Sequence, residues 1–401
     1  SEGWLVVSNN GPEKRGRLDI IYADADNNDQ VYADIRDTES PEIYNATGIM
    51  VSLSAYALGT QIFMTSYSGA YRMNNETLTT KQTEEIRNMQ FITPNTDEKV
   101  VKYGSVFNGG VGPSTQVCVT ADGNVYGLHA SFTTSAFEDP MNTDVKGNRP
   151  TFKVAPAIGM SEAVGSLCLL YYDITNKRFV GGYYNYSYPS ATEDSKTLYS
   201  LIEPENPKFS FNTGLDFVAM CNSAHSNGDC FTILQDASGK RYVYVINLAG
   251  NNRVNSYSQV ALHKDITAEN FNVADAYAAN SQYPFLHYCK DNKVYCYDYS
   301  LDAVRDVITL PEGEKATFLK FNRYVLDRLA TSILKPTRDD EEFRAMQNEL
   351  IVGSSTGGEN SGIVRFYKIS PQGKLELHKE FKGLGEEIVD VTYRERRING
   401  N

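Results

Sequence analysis

The sequence predicts an all-β fold made of repeated hairpins, on the basis of three observations. Residues 284–299, PFLHYCKDNKVYCYDY, contain two runs of aromatic and β-branched residues joined by Asp291-Asn292, a pair suited to a tight turn. Similar hairpins recur with a mean spacing of roughly 57 residues, which is the period of a structural repeat. The chain of 401 residues is also longer than the roughly 250–300 residues that one compact core accommodates. The hairpins begin near Trp4, Gln61, Gln116, Ser166, Cys230, Phe285 and Glu349.

A repeat of several tens of residues built from strand pairs is typical of a β-propeller rather than a helical solenoid. We therefore predict a seven-bladed β-propeller that forms a single domain over residues 1–401. The strand before each hairpin is predicted to be innermost, and small residues such as VADAYAAN before Phe285 favour this position. The strand after each hairpin, such as LELHKEF after Ile369, is more polar, as the exposed edge of a sheet requires.

The two ends of the chain complete the predicted ring. The hairpin at Trp4 has no strand before it, whereas the hairpin at Glu349 is followed by its own outer strand and then by EEIVDVTYR. This surplus strand, residues 386–394, is predicted to pair with the N-terminal blade as its missing inner strand. Such a pairing removes two free sheet edges.

The charge of the chain argues against two classes of partner. The net charge is −12, and the longest basic cluster is Arg394–Arg397. Nucleic acids require a positive stripe, so neither a nucleic acid nor an anionic membrane surface is an expected partner. No apolar run approaches the roughly 18 residues that span a bilayer, so we predict no direct membrane insertion. The sequence starts at Ser1 rather than at Met, and we expect any export signal or anchor to precede it.

Several segments are predicted to stand out from the sheets as loops or insertions. Residues 328–348 include TRDDEEFRAMQ, whose acidic start and helix formers predict a short helix. Residues 133–149 and 185–196 are polar and are predicted to be loops. The glycines in residues 109–112 fit either a strand connection or a close backbone approach to a ligand. Residues 151–165 are ambiguous between an inner and an outer strand.

The tyrosine run GGYYNYSYP is the candidate ligand-binding surface. Alternation along a strand places Tyr184, Tyr186 and Tyr188 on one side. Aromatic faces pack on the apolar face of a sugar ring, and Asn185 could bond its hydroxyl groups. Packing between neighbouring blades would use the same residues, and this alternative stays open.

One polar loop resembles the start of a calcium site. Asp24, Asp26 and Asn28 place oxygen ligands at alternate positions, as the opening of an EF-hand does. An EF-hand requires Gly at the sixth position and Glu at the twelfth, where this chain has Asp29 and Ile35. An EF-hand is therefore rejected, and an ordinary polar turn is the favoured interpretation.

A second group, His287, Cys289 and Cys296, has the ligand types of a zinc site. With a two-residue turn at Asp291-Asn292, His287 pairs with Cys296, so that all three lie on one face of the hairpin. A fourth ligand is not evident, and packing is the favoured role. We predict no metal and no cofactor.

Catalytic motifs are not found. There is no nucleophile elbow, no H-E-x-x-H and no phosphate loop. Of the five histidines, His225 is the one in a plausible loop position. Cys221 and Cys230 flank the same loop, and a disulfide between them stays open, since spacing alone does not establish its geometry. We predict no catalytic residues, although carboxylates from different blades could converge on a glycan substrate.

Three phrases carry a family resemblance: GWLVVSN at the start, IVGSSTGG with GIVRFYKI near the end, and the closing KGLGEEIVDVTYR. They resemble the C-terminal propeller region of the PKD-like family, which are lipoproteins of Bacteroidetes typically encoded beside SusC/SusD-like outer-membrane transport pairs. The resemblance implies an exported protein at the outer membrane or cell surface, anchored by a segment that precedes this sequence. It also implies a role in nutrient handling with SusC/SusD-like proteins as partners.

Two functions therefore compete. The first is a non-catalytic binding or scaffolding module that captures a glycan or a peptide, and the scarcity of histidine favours it. The second is a glycan-cleaving hydrolase or lyase with carboxylates at the propeller axis, which would need two carboxylates at catalytic separation.

Overall fold

Two compact units make up the chain. Unit 1 comprises Ser1–Glu85 and Ala268–Asn401, and unit 2 comprises Ile86–Thr267, so unit 2 is inserted into the sequence of unit 1. The single domain over residues 1–401 stays a prediction beside this division. The computed structural model describes residues 2–23, 29–35, 41–54, 59–73, 97–106, 115–129, 135–136, 140–143, 150–161, 168–183, 197–249, 257–322, 334–336, 340–394 and 397–399.

The first segment of unit 1 forms antiparallel strands in two groups. These are β1 (Gly3–Asn10), β2 (Arg15–Ala23), β3 (Asp29–Tyr32), β4 (Ala46–Ser54), β5 (Gly59–Ser66) and β6 (Tyr71–Met73). Strand β2 pairs with β1 on one side and with β3 on the other, while β4, β5 and β6 form a three-stranded sheet in that order. Leu5 and Val7 are fully buried, because aliphatic residues at alternate positions of β1 face one core. Leu18 on β2 lies opposite Val7 and is buried in the same core.

Unit 2 contains three four-stranded sheets. Its strands are β7 (Val100–Val106), β8 (Thr115–Thr120), β9 (Val125–His129), β10 (Ser135–Ala136), β11 (Gly159–Met160), β12 (Cys168–Asp173), β13 (Arg178–Tyr183), β14 (Tyr199–Ser200), β15 (Asp216–Asn222), β16 (Asp229–Gln235), β17 (Arg241–Asn247) and β18 (Ser258–His263). The sheet orders are β10-β9-β8-β7, β11-β12-β13-β14 and β15-β16-β17-β18, so neighbours in sequence are neighbours in each sheet. The ambiguous residues 151–165 contribute β11, the first strand of its sheet.

The second segment of unit 1 adds two further four-stranded sheets, a two-stranded ribbon and a helix. Its elements are β19 (Ala276–Ala279), β20 (Phe285–Lys290), β21 (Lys293–Asp298), β22 (Ala303–Thr309), β23 (Lys315–Phe321), β24 (Leu334–Pro336), α1 (Asp340–Gln347), β25 (Leu350–Ser355), β26 (Gly362–Ile369), β27 (Leu375–Leu384), β28 (Glu387–Arg394) and β29 (Arg397–Asn399). The sheet orders are β19-β20-β21-β22 and β23-β25-β26-β27, and β24 pairs with β29. Helix α1 confirms the helix predicted in residues 328–348. Among the described residues, no helix is long and apolar enough to cross a membrane.

The hairpin predicted at residues 284–299 is confirmed as β20 and β21. Its register places His287 opposite Cys296. Asp291 adopts a φ of 50°, the left-handed conformation that Asp and Asn tolerate in tight turns. The side chain of Asn292 donates a 3.1 Å hydrogen bond to the carbonyl oxygen of Leu310, which ties the turn to the end of β22.

The closing strand is also confirmed. Strand β28 pairs antiparallel with β1, with Tyr393 opposite Trp4 and Asp390 opposite Val7. The resulting sheet has the order β28-β1-β2-β3, so the strand from the end of the chain supplies the strand missing before the first hairpin. Ile388, Val391 and Tyr393 are buried in the same apolar cluster as Trp4.

These repeated antiparallel sheets confirm the predicted all-β propeller class. The predicted number of blades is wrong as stated, because six sheets rather than seven have four strands among the described residues. The hairpin at Gln61 is the exception. It belongs to the three-stranded sheet β4-β5-β6, whose last strand, Tyr71–Met73, is short.

A buried ion network holds one sheet of unit 1 together. Arg365 on β26 donates from Nη1 and Nη2 to the carboxylate of Glu314, at 2.6 and 2.8 Å, and from Nε to Glu380 on β27 at 2.7 Å. Hydrogen bonds from Arg365 hold the pKa of both carboxyl groups below their usual range. Such a bidentate pair joins the turn before β23 to the middle of the sheet.

Candidate ligand site on the inner strands of unit 1

The candidate site lies on β4, β23 and β28, which are edge strands of their sheets. We call the edge of β28 that is not paired with β1 its inner edge. An edge strand leaves backbone N–H and C=O groups without partners in the sheet. At Ile49 on β4, these groups are satisfied by β28: the N–H donates to Asp390 Oδ2 at 3.0 Å, and the carbonyl accepts from Thr392 Oγ1 at 3.3 Å.

Lys320 on β23 reaches the same two side chains. Its ammonium nitrogen lies 2.7 Å from Asp390 Oδ1 and 2.9 Å from Thr392 Oγ1. The side chain of Lys320 is 28% exposed and that of Asp390 is 16% exposed, so the ion pair is half-buried at the surface of unit 1. An ammonium group has three donors, and two of them are used within the described residues. The third N–H of Lys320 is available to a ligand.

Asp390 acts as an acceptor that fixes this arrangement. Its oxygens receive hydrogen bonds from the ammonium group of Lys320, from the N–H of Ile49 and from the N–H of Val391, the last at 2.9 Å. A carboxylate with three donors is well solvated by the protein. It therefore holds the ammonium group of Lys320 in place. Chemically, the arrangement offers a fixed N–H donor beside the Thr392 hydroxyl.

The polar face of β28 continues to Arg394. Regular pairing with β1 puts Asp390, Thr392 and Arg394 at alternate positions, so they share one face at intervals of roughly 6.6 Å. Arg394 is only 8% exposed, and its Nη1 is buried without a hydrogen-bond partner among the described residues. Burial lowers the pKa of this guanidinium from its usual value.

The end of β28 that carries Arg394 adjoins the insertion between β23 and β25. Strand β29 begins at Arg397, three positions after Arg394, and pairs with β24 of that insertion. Phe343 of α1 is 2% exposed, and its ring centroid lies 6.3 Å from that of Tyr393. Tyr393 and Arg394 are consecutive and point to opposite faces of β28, so Phe343 anchors the insertion on the apolar face of that strand.

The residues that the sequence singled out for ligand binding lie in undescribed parts of the chain. Tyr184, Asn185, Tyr186 and Tyr188 lie outside the described residues, as do the calcium-like loop at residues 24–28 and the glycines at 109–112. Their predicted roles stay predictions.

The zinc-type group is placed in a packed core. His287, Cys289 and Cys296 are all fully buried, and no group of three or more metal-binding side chains is found among the described residues. Burial raises the pKa of each cysteine to about 12 and lowers the pKa of His287 to about 3. The centroid of the Phe321 ring lies 5.3 Å from that of His287, and neither nitrogen of His287 has a hydrogen-bond partner within the described part of the chain. These side chains serve packing.

In unit 2, the loop between β15 and β16 contains no disulfide. Cys221 and Cys230 are not joined to each other. The register places Cys221 opposite Phe231, one position away from Cys230, so the two cysteines point to opposite faces of the sheet. His225 in the loop has its Nδ1 3.5 Å from Asp229 Oδ2 and 3.1 Å from the hydroxyl of Ser226. Both partners meet the same nitrogen, which does not form the relay of a catalytic triad.

Sequence reasoning missed Lys320, Asp390, Thr392 and Arg394. These residues form no motif, because they come from strands more than sixty residues apart in the chain. One signal was present: the strand predicted to be innermost, EIVDVTYR, places polar residues at alternate positions 390, 392 and 394. A polar face on a buried inner strand is unusual and marks a candidate site.

No family model and no curated protein matches the chain. Several solved structures are similar over nearly its whole length. A protein from Lactobacillus plantarum is 12% identical, with 99% of this chain and 100% of that chain covered and a TM-score of 0.55. A candidate 6-phosphogluconolactonase from Bacteroides fragilis is 13% identical, with 98% of each chain covered and a TM-score of 0.52. The periplasmic gluconolactonase of Pseudomonas aeruginosa is 14% identical, with 98% and 99% covered and a TM-score of 0.52. At these identities the likeness shows the fold alone.

Proposed function

We propose that the chain is a non-catalytic binding module that holds a small, hydroxyl-rich ligand, such as part of a glycan, at the inner edge of β28. The observation that carries the proposal is the fixed ammonium group of Lys320, which keeps one N–H donor available beside the Thr392 hydroxyl. Sugar hydroxyl groups both donate and accept hydrogen bonds, so a donor and a hydroxyl at one edge match them.

The positions of these groups are set before a ligand arrives. Asp390 and Thr392 are held by the backbone of Ile49 as well as by Lys320, so binding does not require that their side chains be ordered anew. Preorganisation of this kind increases affinity by lowering the entropic cost of association.

The test is a thermal-shift and calorimetric screen against mono- and oligosaccharides, using the chain and two variants. A ligand that binds the folded state raises the melting temperature. We expect Lys320→Gln to weaken binding by about tenfold, equivalent to about 1.4 kcal/mol. The matched control is Lys14→Gln, since Lys14 forms an equally short 2.7 Å pair with Glu387 but is far more exposed. If no saccharide shifts the melting temperature, or if both variants weaken binding equally, the proposal is wrong.

A second candidate is lactone hydrolysis. One support is the likeness of the fold to that of the gluconolactonase of Pseudomonas aeruginosa. The other is Lys320, whose remaining N–H would polarise a carbonyl oxygen while Asp390 holds the ammonium group. Asp390 contacts only donors, which leaves neither a free base nor a carboxylate pair for glycan cleavage at this edge in the described residues. A pH-indicator assay with gluconolactone distinguishes a lactone hydrolase from a non-catalytic binding module. A rate equal to the spontaneous one supports the binding module, whereas catalysis that is lost in Asp390→Asn supports the hydrolase.

We also propose that this module acts at the outer membrane or cell surface, with a glycan or peptide as ligand and SusC/SusD-like transport proteins as partners. The support is the resemblance of GWLVVSN and KGLGEEIVDVTYR to PKD-like lipoproteins of Bacteroidetes. Co-purification from outer membranes with a transport pair would support this role, and recovery free of any such pair would contradict it.

A further inference from the structure

Arg394 is the one group of the polar face of β28 whose charge is not balanced by the described residues around it. The side chain is 8% exposed, and its buried Nη1 has no hydrogen-bond partner. An arginine removed from water normally pairs with a carboxylate or with carbonyl oxygens, because an uncompensated buried cation is strongly unfavourable. A buried guanidinium kept without a counter-ion is expected where an anion arrives from outside.

The charges along this face define the anion. Lys320 and Asp390 neutralise each other at 2.7 Å, so the face carries one net positive charge, that of Arg394. A monoanion balances this charge. A sugar phosphate, with a charge of about −1.5 to −2 at neutral pH, would exceed it.

We propose that Arg394 is the anion-binding group of this site, and that its ligand is a small polyhydroxylated monocarboxylate of the uronate class. The inference rests on the proposed function, since the hydroxyl groups of the ligand bind at Lys320 and Thr392. Thr392 and Arg394 share one face at a spacing of roughly 6.6 Å. A hexose-sized acid spans this distance from a ring hydroxyl to the carboxylate. The planar guanidinium matches a carboxylate through two parallel hydrogen bonds.

Calorimetry with glucuronate, glucose and glucose 6-phosphate tests the inference. We expect the chain to bind glucuronate about 10- to 100-fold more tightly than glucose, which is the usual value of a charge-assisted hydrogen bond. Arg394→Gln should reduce the affinity for glucuronate to that for glucose. Arg305→Gln removes the same charge from an exposed position on β22 and should change neither affinity.

Each outcome separates this inference from the proposed function. Equal binding of glucuronate and glucose, with no effect of Arg394→Gln, overturns the inference and leaves the proposed function standing. No binding of either sugar overturns both. Tightest binding of glucose 6-phosphate, lost in Arg394→Gln, overturns the monocarboxylate class.

A second variant guards against simple misfolding. Arg394→Met keeps the length of the side chain and removes the unpaired cation, so without ligand it should raise the melting temperature. With glucuronate present, the same variant should show no ligand-dependent rise. A large loss of stability in Arg394→Met without ligand would mean that the guanidinium is part of the packed structure, and would overturn the inference.

Discussion

The burial of His287 predicts a specific loss of stability in acid. Its ring is fully buried, neither nitrogen has a hydrogen-bond partner among the residues that the structure describes, and burial lowers its pKa to about 3 from the ordinary 6.5. Between these two values the unfolded chain binds a proton at His287 that the folded chain does not. The free energy of unfolding therefore rises with pH through this window and is level above 6.5.

The size of the stability loss depends on how many pH units below 6.5 the experiment covers. Lowering the pH from about 7.5 to about 5 covers about 1.5 pH units below 6.5. Each of these units lowers the free energy of unfolding by about 1.36 kcal/mol. The expected loss at His287 is therefore about 2 kcal/mol. His287→Leu removes the titrating group, so its acid-induced loss should be smaller than that of the original chain by about 2 kcal/mol. At neutral pH its free energy of unfolding should equal or exceed that of the original chain, since two unsatisfied polar atoms leave the core.

Urea unfolding of both proteins at the two pH values measures this difference, and groups that titrate elsewhere cancel in the comparison. The control is His378→Gln. The side chain of His378 is 34% exposed, and its Nδ1 lies 2.8 Å from Glu349 Oε1. His378→Gln should therefore still show the acid-induced loss of stability that is assigned to His287. Equal acid losses in the original chain and in His287→Leu would refute the reasoning.

Three further predictions concern the stability of unit 1. Glu314→Gln leaves Arg365 without its bidentate partner in a buried site, and urea unfolding should show a loss of about 3–5 kcal/mol. Gly353→Ala places a Cβ 2.8 Å from Ile388 Cβ and 2.9 Å from Phe318 Cβ, and the overpacking should lower the free energy of unfolding by about 1–3 kcal/mol. Ending the chain before β28 exposes the edge of β1 and the apolar cluster behind it, so limited proteolysis should degrade unit 1.

Matched controls distinguish these effects from general fragility. Glu387→Gln removes a carboxylate from the exposed pair with Lys14 and should change stability by less than about 0.5 kcal/mol. A loss as large as that of Glu314→Gln would contradict the assignment of a buried network. Unchanged stability in Gly353→Ala would show that β23 and β28 can separate at that point. Resistance of the shortened chain to protease would show that β28 is dispensable for unit 1.

The hairpins and the closing strand could be predicted because their signals are local. Asp291 lies in the left-handed turn that its residue type favours, and the continuous apolar run of β1 is buried on both faces. The pairing of β28 with the N-terminal blade followed from counting strands at the two ends. Among the described residues, the sheet at Gln61 has three strands, one fewer than the four expected from the other repeats.

The candidate site could not be predicted because it depends on contacts between distant strands. The expectation that inner strands carry small residues holds for Ala276–Ala279, but β23 contributes Lys320 and β28 contributes Asp390 and Arg394. Local sequence does not show that the ammonium group of Lys320 meets Asp390, nor that Arg394 lacks a partner. Only the register of β28 against β1, and its approach to β4, bring these groups together.

The pairing of β28 with β1 also has a consequence for how the chain folds. During synthesis, the sheet that begins at Gly3 remains without its first strand until Arg394 and its neighbours have been made. The equilibrium cost of joining such distant segments is modest, since each doubling of a loop adds only about 0.6 kcal/mol. The cost in time is larger, because contacts between residues far apart in sequence form slowly. Unit 2 is continuous in sequence, so all of its residues are synthesised before β28, the strand that completes the first sheet of unit 1.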